Sequence, residues 1–258
     1  MIFAGTRLKA AGSHFPHPSA GQRRPFGKQA ARSHTMPDFP SDPLAEDLAR
    51  AKSPEDFHDA LRRALASYDE LGAQIVEGAG LKLACFAGCS LCCSLRVDVH
   101  AHEVFFMAQH VREHFTDAEL AALLARLAVH SAKVLPLTPY DHATQNTVCP
   151  LLQDGRCSIY EARPHSCRRH HSLDFTACQF TYDHPTDLEA PAAHDRELFR
   201  TLTAGLLDAA ETYARLGCDD TIYELGTALA EALDTPSSWE RWRDGKKAFL
   251  RASVTPSA

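Results

Sequence analysis

The sequence concentrates most of its cysteines into two groups that lie far apart along the chain. The first group places four cysteines within nine positions: Cys85, Cys89, Cys92 and Cys93. The second group is more widely spaced and comprises Cys149, Cys157, Cys167 and Cys178. Spacings of two or three residues let neighbouring sulfurs converge on one ion, and thiolates are soft ligands for zinc, copper(I) and iron–sulfur clusters. The pattern predicts a sulfur-ligated metal centre to which both groups contribute.

Disulfide bonds and simple core packing are the alternative uses of so many cysteines. A chain of 258 residues can bury a core without covalent staples. We also expect a cytoplasmic location, where clustered cysteines bind metals or act catalytically instead of forming disulfides. A bridge between the adjacent Cys92 and Cys93 would close a strained ring. Apolar packing is the role we expect only for the ninth cysteine, Cys218, which stands apart from both groups.

The second group begins in a segment that has the pattern of a β-hairpin, CPLLQDGRCSIY. Asp154-Gly155 is a strong turn signal, and apolar residues flank it on both sides. Such a turn would bring Cys149 and Cys157 close together despite the seven residues between them. The following YEARPHSC is predicted to form a short turn of helix that delivers Cys167.

Several pieces of this region, in their order, resemble the zinc- or iron-chelating cysteine-cluster family, also called the CxxCxxCC family. The pieces are CFAGCSLCC, RVDVHAHEV, CPLLQDGRCSIYEARPHSCRRHHS and the later Cys178. One departure is His100, at a helix start where Ser or Thr would be expected. The resemblance spans about residues 85–178 and implies metal chelation by the eight cysteines of the two groups.

The identity of the metal and the presence of catalysis are left open by these residues. Eight thiolates could form two four-sulfur zinc sites, or four could hold a [4Fe–4S] cluster while the others serve as structure, a second site or redox partners. The compact first group favours iron–sulfur, with zinc as the alternative. One relative, the flagellin lysine methylase, looks like this cysteine cluster joined to a methyl-transferring function. An iron–sulfur-dependent methyl- or group-transferase, acting on a protein or a small molecule, is therefore the alternative to a metal-binding protein.

A basic segment, RPHSCRRHH, surrounds Cys167. Arg168, Arg169 and His170 are predicted to bind a cofactor or an anion at a rim beside the metal, because guanidinium groups recognise phosphate and carboxylate. The alternative is that the arginines bond loop carbonyls and neutralise the thiolate charge. Any of the histidines could replace a cysteine as a metal ligand.

Other catalytic patterns are weak. The run HAHE at 100–103 does not have the spacing of the His-Glu-x-x-His zinc motif, and no phosphate-binding glycine loop is present in the sequence. A set of acid–base candidates remains, in which no spacing selects a pair: Asp98, Glu103, Tyr140, Asp141, Asp174 and Asp183.

The rest of the chain is predicted to be mostly helical. Helical spacing of apolar residues covers about 53–76, 104–115, 116–134, 198–216 and 222–233, and capping signals stand at Ser53 and Thr116. A last amphipathic stretch carries Trp239, Trp242 and Phe249. The predicted fold is mostly α, with helices packed around an irregular cysteine-rich metal-binding core that includes one short β-hairpin.

Composition limits the partners and the domain organisation. A net charge of -6 gives no general attraction to nucleic acid, and no apolar run is long enough to span a membrane. The first 36 residues contain no Asp or Glu. We expect residues 1–40 to be a disordered tail, or an over-extended start, and 41–258 to be one domain with its metal-binding core at 85–178. The expected partners are a metal ion or cluster, and a protein partner or an anionic substrate.

Overall fold

The computed structural model describes most of the chain beyond its first fifty residues. It covers Asp47, Ala51 and the ranges 53–189 and 193–255, with the side chain of Asp208 excluded. The predicted tail, residues 1–40, lies outside the described residues. The described residues all fall within one compact unit, Pro40–Ala258.

Helices dominate, as the apolar periodicity predicts. They are α1 (Pro54–Gly78), α2 (Ala101–His114), α3 (Asp117–Val134), α4 (Pro139–Ala143), α5 (His165–Arg169), α6 (Phe175–Asp183), α7 (Arg196–Arg215), α8 (Leu225–Asp234) and α9 (Ser238–Arg243). Two short 3₁₀ turns cover Leu91–Ser94 and Tyr160–Ala162. The mostly helical fold class is confirmed.

The long helices begin where the sequence places its caps. The Ser53 hydroxyl accepts a hydrogen bond from the Asp56 N–H, and Pro54 occupies the first turn of α1. Thr116 accepts a hydrogen bond from the Glu119 N–H at the start of α3, and the Glu119 carboxylate accepts one in return from the Thr116 N–H. These reciprocal bonds satisfy N–H groups that no helical carbonyl can reach.

Two small antiparallel sheets connect distant segments. Strands β2 (Leu152–Gln153) and β3 (Arg156–Cys157) form the predicted hairpin. Strand β1 (Asp98–His100) pairs with β4 (Ile222–Glu224), a pairing that the sequence does not predict. The predicted helix at 222–233 is therefore wrong at its start, because Ile222–Glu224 is a strand and α8 begins at Leu225.

The core lies around α2, which is buried along most of its length. Helix α8 packs against both α2 and α3. On the other side, Phe57 of α1 makes edge contacts with Trp239 at 4.9 Å and with Trp242 at 5.2 Å between ring centroids. This packing and the β1–β4 pairing fix the first turn of α2, which lies beside the cysteine-rich segments.

Candidate metal centre

The first cysteine group lies on a loop followed by a 3₁₀ turn. Gly88 has a φ of +92°, a left-handed conformation that glycine adopts without strain, and the Cys89 N–H then donates to the Phe86 carbonyl at 3.0 Å. The 3₁₀ turn Leu91–Ser94 carries the adjacent Cys92 and Cys93, and the neighbouring Cys93 thiol, followed by burial, raises the pKa of Cys92. This local geometry brings the first group together before any distant residue is added.

The hairpin of the second group is joined directly to the first group. Its turn residues Asp154 and Gly155 have φ values of 50° and 74°, as a tight two-residue hairpin requires. Just before β2, the Cys149 N–H donates to the Cys93 carbonyl at 2.8 Å. Two residues earlier, the Thr147 N–H donates to the Ser94 carbonyl at 3.0 Å. Backbone hydrogen bonds thus hold the two groups side by side.

Electrostatic contacts among the thiols define two overlapping sets. Loss of hydration raises the pKa of Cys85, and the neighbouring thiols that raise it further are Cys92, Cys178 and Cys89. Helix α6, which carries Cys178, packs on the 3₁₀ turn of the first group. Burial is the largest cause of the raised pKa of Cys167, and the neighbouring thiols that raise it further are Cys149, Cys157 and Cys92. Cys92 therefore lies near both sets, and we call the eight cysteines together the thiol region.

The donors of the thiol region suit zinc or iron. All of its cysteines are free thiols. Burial raises the pKa of Cys149 to about 12 and also raises that of Cys157. Such thiols stay protonated unless a cation stabilises the thiolate, which is what coordination to a metal ion does. A set made only of sulfur matches zinc and iron–sulfur chemistry, and does not match calcium or magnesium.

Arg168 makes its contacts within the protein. Its side chain is 4% exposed. It donates to the Arg163 carbonyl at 2.7 Å, donates to the Glu161 carbonyl, and pairs with Asp69 of α1. These bonds connect the turn that precedes Cys167 to α1. They match the alternative role considered for the arginines, in which they bond to loop carbonyls.

Of the other two residues predicted to bind a cofactor, Arg169 contacts α7. The guanidinium of Arg169 stacks over the Phe199 ring at 4.8 Å and donates to the Thr203 hydroxyl at 3.3 Å. Burial lowers the pKa of His170, which favours its neutral form. The cofactor-binding role of Arg168, Arg169 and His170 stays a prediction. Arg163, in contrast, is close enough to Cys157 to offset part of the effect of burial on the pKa of that thiol.

A buried set of three polar side chains lies beside the thiol region and was not predicted as a unit. It comprises His102 and Glu103 in the first turn of α2 and His165 at the start of α5. The Glu103 carboxylate accepts from the His165 N–H at 2.8 Å, lies 3.0 Å from His165 Nδ1, and accepts from the His100 N–H at 2.9 Å. Burial alone would raise the pKa of Glu103, but the hydrogen bond and charge of His165 lower it. The residues appear in HAHE and RPHSC, but nothing in the sequence indicates that these segments meet.

Most other acid–base candidates have structural contacts. Asp141 completes the capping box of Thr138 at the start of α4, Asp174 is the N-cap of α6, and Asp98 pairs with Arg96 at 2.9 Å. Asp183 accepts a hydrogen bond from Gln179, and Tyr140 is exposed. The structure brings none of these five into the buried set with Glu103.

The ninth cysteine lies away from the thiol region. Cys218 is 8% exposed and belongs to the main apolar core. Burial raises its pKa. These surroundings are those of a small core side chain.

The family comparison agrees with this geometry. Residues 84–187 match the family model CxxCxxCC, described as "Putative zinc- or iron-chelating domain". The resemblance seen in the sequence is thereby confirmed, and the matched span contains the whole thiol region and the buried set of His102, Glu103 and His165. No curated protein and no solved structure matches the chain significantly. Among the described residues, none of the helices has the length and apolar character needed to cross a membrane.

Proposed function

We propose that this zinc- or iron-chelating domain binds an iron–sulfur cluster through the thiol region. The observation that carries the proposal is the position of Cys92, near the thiols of both sets. The two cysteine groups thus lie side by side, although no three sulfurs of the described residues lie within 4.8 Å of one another. A multi-iron cluster bound by four thiolates suits such a region, because its irons offer several closely spaced coordination positions.

The adjacent pair Cys92 and Cys93 is compatible with a cluster, because the 3₁₀ turn places their two thiols side by side. Closely spaced thiols of this kind could bind neighbouring irons of one cluster. Cys85, Cys89, Cys92 and Cys178 are one set of four thiols that could serve. The remaining four thiols would then supply structure or a second site. A bound cluster would supply electron transfer, or a Lewis-acidic iron if one position is open.

The metal content of the full chain tests the proposal. After anaerobic purification and reconstitution, we expect visible absorption with iron and acid-labile sulfide in equal amounts. Cys89→Ser should lose both, together with part of the folded helix signal, because metal binding and folding are coupled. The matched control, Cys218→Ser, should retain both.

Two results would contradict the proposal. Tightly bound zinc without iron or sulfide after reconstitution would show that the thiol region binds zinc and not an iron–sulfur cluster. Loss of metal from Cys218→Ser, a cysteine of the apolar core, would show that metal loss from Cys89→Ser does not identify a ligand.

An enzymatic group-transfer role is the second candidate, and the exposure of two cysteines of the thiol region favours it. Cys85 and Cys92 are exposed, whereas structural metal sites are usually closed. Phe86 and Phe175 lie beside the first group with ring centroids 6.0 Å apart, and both are exposed, so a protein substrate or partner would have an apolar surface to contact. Cyanide, a ligand for open iron sites, should then change the electron paramagnetic resonance spectrum of the reduced cluster. An unchanged spectrum would rule out an open iron and with it this role.

A further inference from the structure

We propose that His102, Glu103 and His165 form a second metal site, separate from the thiol region, for a divalent first-row transition ion. One ligand atom from each residue lies within 4.8 Å of the other two. Two histidines and one carboxylate are a recurrent ligand set for zinc and for non-haem iron(II). The proposal does not depend on which metal the cysteines hold.

The burial of this set is unusual for groups with such polarity. Glu103 and His165 are each 3% exposed, and His102 is 1% exposed. Buried ionisable groups normally have a full complement of hydrogen bonds or a metal ion as partner. Glu103 accepts hydrogen bonds from His100 and His165, whereas the buried His102 imidazole lacks the partner that a divalent ion would provide.

His102 provides the independent observation that points to a ligand. Its Nε2 is buried and has no hydrogen-bond partner among the residues that the structure describes. The ring is held from one side by Tyr213, stacked at 3.9 Å between centroids. A buried imidazole nitrogen without a partner costs free energy, which metal coordination would recover.

The other two residues are oriented before any ion binds. The Glu103 carboxylate is held by N–H groups from His100 and His165, one at each oxygen. The His165 ring packs edge-on against Tyr68 at 4.9 Å. His165 Nδ1 lies 3.0 Å from the Glu103 carboxylate. A metal ion that replaced the proton between these two groups could bind both of them. Hydrogen bonds of this kind orient the ligands in known metal sites.

Two histidine variants test the site on the full-length protein. His102→Phe keeps an aromatic ring against Tyr213 but removes the nitrogens. His58→Phe is the matched control, because His58 is also buried and its Nδ1 also lacks a hydrogen-bond partner within the described residues, yet it is not part of the set. With zinc as the probe, we expect His102→Phe to bind one equivalent less than the wild type, while His58→Phe binds the wild-type amount.

Separate readouts distinguish this site from the thiol region. The iron and acid-labile sulfide of the thiol region should be the same in all three proteins, so a failure of the cysteine proposal would leave this test intact. Wild-type zinc stoichiometry in His102→Phe, together with a rise in stability from removing the unpartnered nitrogen, would overturn the second site.

A spectrum of the wild type keeps the proposal testable if His102→Phe does not fold. Cadmium NMR separates ions bound by nitrogen and oxygen from ions bound by thiolates. We expect one nitrogen- and oxygen-ligated resonance from the cadmium-loaded wild type. A spectrum containing thiolate resonances alone would overturn the proposal.

Discussion

Substitution of Gly226 by alanine should destabilise the protein even though alanine is the better helix former. Gly226 lies in the first turn of α8, packed against α3. A β-carbon at this position would stand 2.4 Å from His130 Cδ2 and 2.5 Å from His130 Nε2. His130 is buried, and the same Nε2 lies 2.9 Å from the Glu224 carboxylate. The methyl group must therefore displace a ring that holds a buried ionic hydrogen bond.

The magnitude follows from three opposing contributions. Alanine gains ~1 kcal/mol of helix propensity over glycine, overpacking costs ~1–3 kcal/mol, and loss of a hydrogen bond to a charged group costs ~1.5–3 kcal/mol. We expect Gly226→Ala to lower the free energy of unfolding by roughly 1.5–5 kcal/mol. Gly72→Ala in α1 is the control, because its β-carbon would meet only Leu202 at 3.7 Å, an ordinary contact. That substitution should stabilise by about 0.5–1 kcal/mol.

Denaturant unfolding of the metal-loaded protein measures both effects. Trp239 and Trp242 lie in the core packed on α1 and provide the fluorescence signal. The steric explanation is tested by repeating Gly226→Ala in a His130→Ala background, where the ring is gone. There the substitution should be neutral or stabilising. An equal loss of stability in both backgrounds would refute the reasoning.

Two further predictions concern a buried carboxylate and a buried arginine. Burial alone would raise the pKa of Glu224, but the hydrogen bond and charge of His130 lower it from 4.5 to about 2. The pKa of Glu224 is lower in the folded protein than in the unfolded chain. The ionised Glu224 therefore contributes its full stabilisation above pH 4.5, and this stabilisation is lost as the pH falls toward 2. The stability difference between wild type and Glu224→Gln should therefore shrink over that range in acid titrations, and a constant difference would contradict it. Arg168→Ala leaves two loop carbonyls without a donor and should cost ~2–4 kcal/mol and speed loss of metal to a chelator, whereas the exposed Arg62→Ala should stay within about 0.5 kcal/mol. Equal chelation rates for the two variants would mean that Arg168 does not support the Cys167 turn.

Local signals in the sequence determined the helices and the identity of the thiols. Ser53 and Thr116 each accept a hydrogen bond from the N–H group three residues along the chain, so their capping does not depend on the tertiary fold. Asp154-Gly155 likewise favours a hairpin wherever it stands, because both residues tolerate positive φ. The cysteine groups predict sulfur ligation for the same reason, since spacing and thiol chemistry belong to the chain itself.

Long-range pairing decided how these parts are arranged. Pairing of β1 with β4 joins residues more than a hundred positions apart, and a short run such as Ile222–Glu224 satisfies helix and strand patterns equally well. The placement of Cys178 near the first group depends on how α6 packs on the 3₁₀ turn.

The buried set of His102, Glu103 and His165 is the clearest case in which the sequence was insufficient. Each residue alone fits a surface loop or a helix cap, and its chemistry is invisible until the starts of α2 and α5 meet. The sequence determined that this protein has thiols suited to a metal and helices to carry them. Only the tertiary structure decided which side chains face one another, because burial and proximity depend on packing between segments that the sequence keeps apart.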